Sequence, residues 1–141
     1  MLGNTTATCL GGHLRKLRDD IEAEDLVRTL SFTRLVIGAA AFVAPRLGAR
    51  MWTGEDALDA VSRPALRGMG MRDVALALGT LLALERGKPV RGWLEATALS
   101  DAGDALSALA EPNLPPLRRL LTIASASGAA YLAVILAEEL E

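Results

Sequence analysis

The sequence has very few of the residues that build zinc sites, disulfides and hydrolytic triads. Its 141 residues include one cysteine, Cys9, and one histidine, His13. One cysteine forms no internal disulfide, and one cysteine with one histidine cannot assemble the usual Cys/His zinc sets. A Ser/His/Asp or Cys/His catalytic set is not proposed, because His13 lies in the N-terminal tail. We therefore expect no metal site, and no cofactor is predicted.

Aromatic residues and strand patterns are also scarce. Aromatics make up 4% of the chain and hydrophobic residues 51%, so the apolar surface consists mainly of Ala, Leu and Val. Short alternating runs of Val, Ile, Thr and aromatics, which indicate strands, are absent, and an all-α fold is predicted. The net charge is −2 and no basic stripe is interleaved with aromatics, so nucleic acid is not an expected partner.

Long apolar stretches are what the sequence does have. They predict four helices, at about residues 26–45, 63–84, 90–109 and 117–136. About twenty residues at 1.5 Å each reach roughly 30 Å, the thickness of the hydrocarbon core of a bilayer. Residues 74–84 and 120–137 carry no charge on any face, whereas the helices of a soluble bundle need a polar face. We predict a four-helix transmembrane bundle and prefer it to a soluble one.

Residues 1–25 are predicted to be an N-terminal tail ahead of a four-helix membrane domain at residues 26–141. Apolar residues recur in the tail at helical spacing, at Leu10, Leu14, Leu17 and Ile21. This pattern is typical of an amphipathic helix on a membrane surface, and a flexible tail is the alternative. A short surface helix is also expected at about residues 54–61.

Lysine and arginine residues predict the orientation. Four spans would place both termini and the turn after the second helix on one side, with Arg15, Lys16, Arg18, Arg28, Arg86, Lys88 and Arg91. The other side would have Arg46, Arg50, Arg63, Arg118 and Arg119. The positive-inside rule then predicts a multi-pass protein of the inner, cytoplasmic membrane with both termini in the cytoplasm.

Charged residues near the middles of the predicted spans carry the candidate chemistry. At about mid-membrane depth lie Arg34, Arg72, Asp73 and Asp101, and Asp104 follows one turn later. The second and third spans run antiparallel, which brings Asp104 toward the level of Arg72 and Arg67. Because an unpaired charge at this depth costs several kcal/mol, we expect ion pairs between the helices.

The cluster has two interpretations. It is either an ionic lock that fixes the register of the helices, or a pocket in which a carboxylate holds a proton or a ligand. For the second interpretation the candidate catalytic residues are Asp73, Asp101 and Asp104. The candidate binding residues are Arg34, Arg67, Arg72 and Trp93.

Five motifs occur in a characteristic order: Arg34-Leu35-Val36-Ile37-Gly38, Ala44-Pro45-Arg46, Arg67-Gly68-Met69-Gly70-Met71-Arg72-Asp73, Gly92-Trp93 and Asp101-Ala102-Gly103-Asp104. This order resembles a family of uncharacterised small actinobacterial membrane proteins, a domain of unknown function that is DoxX-like in its four-helix layout. The resemblance covers about residues 30–136. It implies a fold and a membrane location, and it implies no activity.

Three classes of function follow from these predictions. The first is an assembly or interaction subunit, whose small-residue faces on the first and fourth helices dock on another copy or another membrane protein. The second is a membrane-embedded enzyme or binding site for a lipophilic small molecule, quinone- or polyketide-like, with a buried Asp as general acid or base. Proton or ion conduction comes last, because four helices leave little room for a pore.

Overall fold

All of the secondary structure in the described residues is helical. The structure is a computed structural model that describes residues 4–52 and 62–140, with side chains for 21–47, 49–50 and 62–140. The helices are α1 (Asn4–Val43), α2 (Pro45–Trp52), α3 (Ser62–Glu85), α4 (Arg91–Ala110) and α5 (Pro116–Glu139). The all-α prediction is confirmed for this part of the chain. The surface helix expected at residues 54–61 lies outside the described residues.

Proline and glycine set two of the helix boundaries. Pro45 lacks a backbone N–H and opens α2, so α1 ends at Val43 and does not reach the predicted end at residue 45. At the end of α3, Gly87 has a φ of 57°, a left-handed conformation that glycine adopts without strain. The N–H of Lys88 donates to Ala83 O at 2.8 Å and that of Gly87 to Leu84 O at 3.1 Å, a Schellman motif.

The long helices associate as two antiparallel pairs. α1 packs mainly on α3, and α4 packs mainly on α5, while contacts between the two pairs are fewer. Two glycines bring α1 and α3 close together: a Cβ added to Gly70 would lie 2.6 Å from Gly38 O, and one added to Gly38 would lie 2.7 Å from Gly70 O. Of the small residues Gly38, Ala39, Ala40 and Ala41 in the first predicted helix, Gly38 and Ala41 therefore face α3, and Ala39 and Ala40 are exposed.

One end of the bundle, which we call the packed end, contains the apolar core. It is built from the middle of α1, the end of α3, the start of α4 and the end of α5. Its buried side chains are Ala23, Val27, Ala83, Val90, Leu94, Leu136 and Ala137. Here side chains of all four long helices meet, so the two pairs are joined by close packing.

The opposite end, which we call the open end, has hydrogen bonds from arginine side chains to backbone carbonyl oxygens of neighbouring helices. Arg67 donates to Phe42 O near the end of α1 at 3.2 Å. Arg118 donates to Arg50 O near the end of α2, and Arg119 to Leu109 O near the end of α4. The last carbonyls of a helix have no partner within the helix, and these guanidinium groups satisfy three of them.

Among the residues that the structure describes, two helical segments are long and apolar enough to cross a membrane, Ile21–Val43 and Pro116–Glu139. The predicted number of such spans was four. α3 and α4 are long enough but carry several charged residues each, including Arg72 and Asp73 in α3 and Asp101 and Asp104 in α4. A four-helix transmembrane arrangement therefore depends on how those charges are accommodated.

Candidate functional site

Five charged side chains form one continuous ionic network across three helices. Its order in space is Asp104, Arg72, Asp73, Arg34 and Asp101, so that carboxylates and guanidinium groups alternate. Arg72 Nη2 lies 2.8 Å from Asp104 Oδ2 and 3.1 Å from Asp73 Oδ1. Arg34 Nη1 lies 3.2 Å from the same Asp73 Oδ1, and Arg34 Nη2 pairs with Asp101 Oδ2. The predicted pair of Asp104 with Arg72 is formed.

Helical spacing explains how the network is assembled. Asp101 and Asp104 are three residues apart on α4, so both side chains lie on one face of that helix. Asp73 is central because its Oδ1 accepts from both guanidinium groups. Arg34 reaches it from α1, which is possible because Gly38 and Gly70 let α1 and α3 approach closely.

The network is partly withdrawn from solvent, and its charges do not sum to zero. Asp101 is 4% exposed, and the side chains of Arg34 and Asp73 are 18% and 19% exposed. Three carboxylates face two guanidinium groups, which leaves one negative charge in excess. Buried charges require partners, and an excess charge makes the site a place where a positive or donating group is stabilised.

A cavity of about 300 Å³ lies between the two helix pairs, beside the Arg34 and Asp101 end of the network. Most of its wall is apolar, with residues such as Val27, Leu94 and Leu132. Its polar wall consists of Ser31, Thr33, Arg34, Asp73, Thr80, Thr97, Asp101 and Ser125. A mostly apolar cavity with a few grouped polar side chains is the usual form of a small-molecule site.

A second cavity, of about 520 Å³, extends from the first toward the open end. The two share Ile37, Asp73 and Ser125, and the second is otherwise lined mainly by apolar residues of α1, α3 and α5. Arg118 lies on its wall. The two cavities are therefore neighbours, and Asp73 of the ionic network lies on the wall of both.

Five of the seven residues predicted from the sequence as site residues come together, and two do not. Arg67 donates to Phe42 O, so the expected pairing of Asp104 with Arg67 is not formed. Trp93 packs against α3 at Gly79, where its ring occupies the space of a Cβ, and it does not line either cavity. Asp104 borders a different, open groove on the outer side of α3 and α4.

Sequence reasoning missed the hydroxyl residues of the cavity wall. Ser31 and Thr80 are buried, at 7% and 2% exposure, and Ser125 lies where the two cavities meet. The available signal was their position, because each is a hydroxyl residue within a helix that the sequence predicts to span the membrane. This signal alone does not distinguish a hydroxyl residue that lines a cavity from one that only forms a hydrogen bond within its own helix.

The arrangement offers hydrogen-bond acceptors beside an apolar volume. Within the described residues, no group of three or more His, Cys, Asp or Glu side chains is placed to hold a metal ion. The carboxylates of Asp73 and Asp101 can accept hydrogen bonds or a proton from a molecule in the cavity. Comparisons with protein-family models, with curated proteins and with solved structures found no match.

Proposed function

We propose that the chain is a multi-pass inner-membrane protein, with α1, α3, α4 and α5 as a four-helix transmembrane bundle. The exposed surface supports this proposal. Large hydrophobic side chains are exposed on all four helices, with Val43 and Leu99 at 76% and Tyr131 at 70%. In the two apolar spans only 17% and 22% of the residues are buried, whereas the core helix of a soluble protein is mostly buried.

The charges of α3 and α4 are compatible with this proposal because they are paired. Charged residues inside a membrane face the bundle interior and pair with one another. Arg72, Asp73, Asp101 and Asp104 all belong to the network, so none of them faces lipid alone. Recovery of folded protein in the soluble fraction after carbonate washing, without detergent, would refute the membrane location.

The proposed orientation has both termini in the cytoplasm, on the side of the packed end. The supporting excess of Lys and Arg is small, because Arg67 belongs to the open end, where it contacts Phe42 O. A reporter fused after Glu141 tests this directly. Activity of a reporter that works only outside the cytoplasmic membrane would reverse the orientation and leave the helix count unaffected. The DoxX-like layout is part of the same proposal.

We further propose that the protein binds a lipophilic small molecule in the cavity between the helix pairs. The observation that carries this proposal is the cavity of about 300 Å³, apolar on most of its wall and bordered by Arg34, Asp73 and Asp101. Pockets that bind small ligands have volumes of roughly 300–1,000 Å³ and this kind of lining. A network that served only as a lock would not need an apolar volume beside it.

Native mass spectrometry of the protein from mild detergent tests binding. We expect a bound small molecule that is lost in Ser125→Phe, because Ser125 lies where the two cavities meet and a phenyl group there occupies that space. Ser127→Phe is the matched control, since Ser127 is two residues away on the exposed surface of α5. Equal ligand occupancy in both variants would contradict the assignment of the cavity as the site.

An assembly or interaction subunit is the second candidate. It is favoured by one surface of α5, where Leu117, Leu121, Ala124, Gly128 and Tyr131 follow one another at helical spacing and are exposed. A Cβ added to Gly128 would touch nothing within 4 Å, so a neighbouring helix can approach there. Loss of an oligomer on Gly128→Leu, with the cavity ligand retained, would support this candidate.

A further inference from the structure

We infer that the cavity selects a protonated amine carried on an apolar chain. The inference rests on the proposed small-molecule site and names the chemistry of its ligand. Three properties of the polar wall point to a cationic hydrogen-bond donor: its carboxylate oxygens, its hydroxyl groups and its net charge.

Each of the two carboxylates that line the cavity has one oxygen without a hydrogen-bond partner in the described structure. All hydrogen bonds that Asp73 accepts within the described structure arrive at Oδ1, from Arg34 and Arg72, and Oδ2 has no partner there. Asp101 accepts from Arg34 at Oδ2, which leaves Oδ1. Both residues line the cavity, and both free oxygen atoms are accessible to a water-sized molecule. A ligand therefore meets two unused acceptors.

The hydroxyl groups of the wall add more acceptors. Thr80 donates its hydrogen to Leu76 O at 2.9 Å, Ser125 to Thr122 O at 3.2 Å, and Thr33 to Thr29 O at 2.9 Å. A hydroxyl group has one hydrogen, so each of these oxygens has only lone pairs left for a ligand. The hydroxyl groups of Ser31 and Thr97 can either donate or accept a hydrogen bond with a ligand. Arg34 is the charged donor of the wall, and two of its five N–H groups are directed at carboxylates.

The net negative charge of the ionic network favours a cationic hydrogen-bond donor in the ligand over a neutral one. The excess negative charge of the network is neutralised by one ammonium group, which also forms charge-assisted hydrogen bonds with the free carboxylate oxygens. A quinone offers only carbonyl acceptors, which form no hydrogen bond with the free carboxylate oxygens, and a fatty acid is repelled by the carboxylates. The apolar remainder of the wall favours an ammonium group with a hydrocarbon chain over a bare inorganic cation.

Equilibrium binding of labelled probes to the protein in phosphatidylcholine nanodiscs tests the inference, with empty nanodiscs as the background. The probes are decylamine, decanol, decanoate and a decyl-substituted quinone, which share a chain length and differ in the head group. Sodium chloride is added separately as a competitor. We expect saturable binding of decylamine, at least about tenfold tighter than that of decanol, because a charge-assisted hydrogen bond replaces a neutral one. Decanoate is expected not to bind.

Substitutions of polar residues that line the cavity test whether decylamine binds there. Asp73→Asn should weaken decylamine binding about tenfold, and Glu95→Gln, which removes a carboxylate on the exposed face of α4, should leave it unchanged. If Asp73→Asn does not fold, the affinity of Thr80→Val for decylamine tests the inference instead, since this substitution keeps the shape of the side chain and removes one acceptor. We expect about fivefold weaker binding for Thr80→Val, and unchanged affinity would overturn the inference.

The outcomes distinguish the inference from the proposed function. Saturable binding of the quinone or of decanol, blocked by Ser125→Phe, with decylamine at background would overturn the amine assignment and keep the small-molecule site. Displacement of decylamine by sodium at equal concentration would assign the wall to an inorganic cation and overturn it as well. Background binding of all four decyl probes would overturn the site itself.

Discussion

The packed end and the open end of the bundle are held together by different chemistry. At the packed end Val27, Leu94 and Leu136 are almost fully buried, and the four long helices meet in direct contact. At the open end the connections are made by Arg67, Arg118 and Arg119, whose guanidinium groups reach carbonyl oxygens on neighbouring helices. The packed end joins α1, α3, α4 and α5, and the arginine contacts of the open end join α3 to α1, α5 to α2 and α5 to α4.

The difference explains why the cavities lie where they do. Apolar side chains attract one another only in contact, so they draw helices together until no space is left. Arg67 and Arg119 join helices that also pack on each other, whereas the long side chain of Arg118 connects α5 with α2 across the two helix pairs. The ionic network lies between these two regions, and the second cavity extends from it toward the arginines. Polar connections therefore keep the bundle closed without filling it.

Removal of Arg34 should have the largest effect on stability. Arg34→Leu leaves Asp73 with one partner fewer and Asp101 with none, and breaking a buried ion pair costs about 3–5 kcal/mol. The measurement is unfolding of the purified protein in detergent. In Arg34→Leu/Asp101→Leu we expect much of the loss to be recovered, because the uncompensated carboxylate is gone.

Arg91→Leu is the matched control for Arg34→Leu, since Arg91 pairs with Glu95 on the exposed surface of α4. Surface pairs contribute about 0–1 kcal/mol, so its loss should be small. Equal losses for the two variants, or no recovery in the double variant, would contradict the network as a determinant of stability.

Replacement of one leucine at each end by alanine compares the packing of the two ends directly. Leu136 is 2% exposed in the core of the packed end, and Leu136→Ala should cost about 2–5 kcal/mol because it leaves a void among four helices. Leu121 lines the cavity at the open end and is 58% exposed, so Leu121→Ala should cost under about 1 kcal/mol. Thermal unfolding in detergent measures both. If the two losses were the same, the ends would not differ in packing.

A methyl group added between α1 and α3 should have an intermediate effect. A Cβ on Gly70 would lie 2.6 Å from Gly38 O and 2.8 Å from the backbone nitrogen of Phe42, and neither backbone atom can move alone. We expect Gly70→Ala to cost about 1–3 kcal/mol through overpacking. Gly103→Ala is the control, because a Cβ there meets nothing within 4 Å. Alanine in an exposed helix interior stabilises by up to about 1 kcal/mol, so the two variants should shift the melting temperature in opposite directions.

Much of the network could be predicted from the sequence. Arg72 and Asp104 lie at similar depths on antiparallel neighbours, and burial of charge makes pairing nearly obligatory, so their contact followed from helix spacing alone. Arg67 could not be placed in the same way. It is five residues before Arg72, more than one turn away, and its partner is a carbonyl whose position depends on where α1 ends, at the break before Pro45.

The cavities could not be predicted because they depend on which helices pair. The apolar patterns of α1, α3, α4 and α5 do not specify that α1 packs on α3 and α4 on α5. Trp93 shows the same limit: near the start of α4 it was a candidate binding residue, yet its ring lies on Gly79 of α3. Periodicity along one helix identifies its apolar face and not the neighbour that covers it.

Removal of a single carbonyl contact at the open end should have the smallest effect on stability. Arg119 donates to Leu109 O, close to the last residue of α4, and Arg119→Ala should cost about 0.5–1.5 kcal/mol, the net value of one hydrogen bond. Because the contact joins the start of α5 to the end of α4, its loss should show first as faster amide hydrogen exchange over the last turn of α4. Arg86→Ala, an exposed arginine beside the packed end, is the control and should leave that exchange unchanged. If the end of α4 exchanged equally fast in both variants, the contact of Arg119 with Leu109 O would not hold the end of α4 in place.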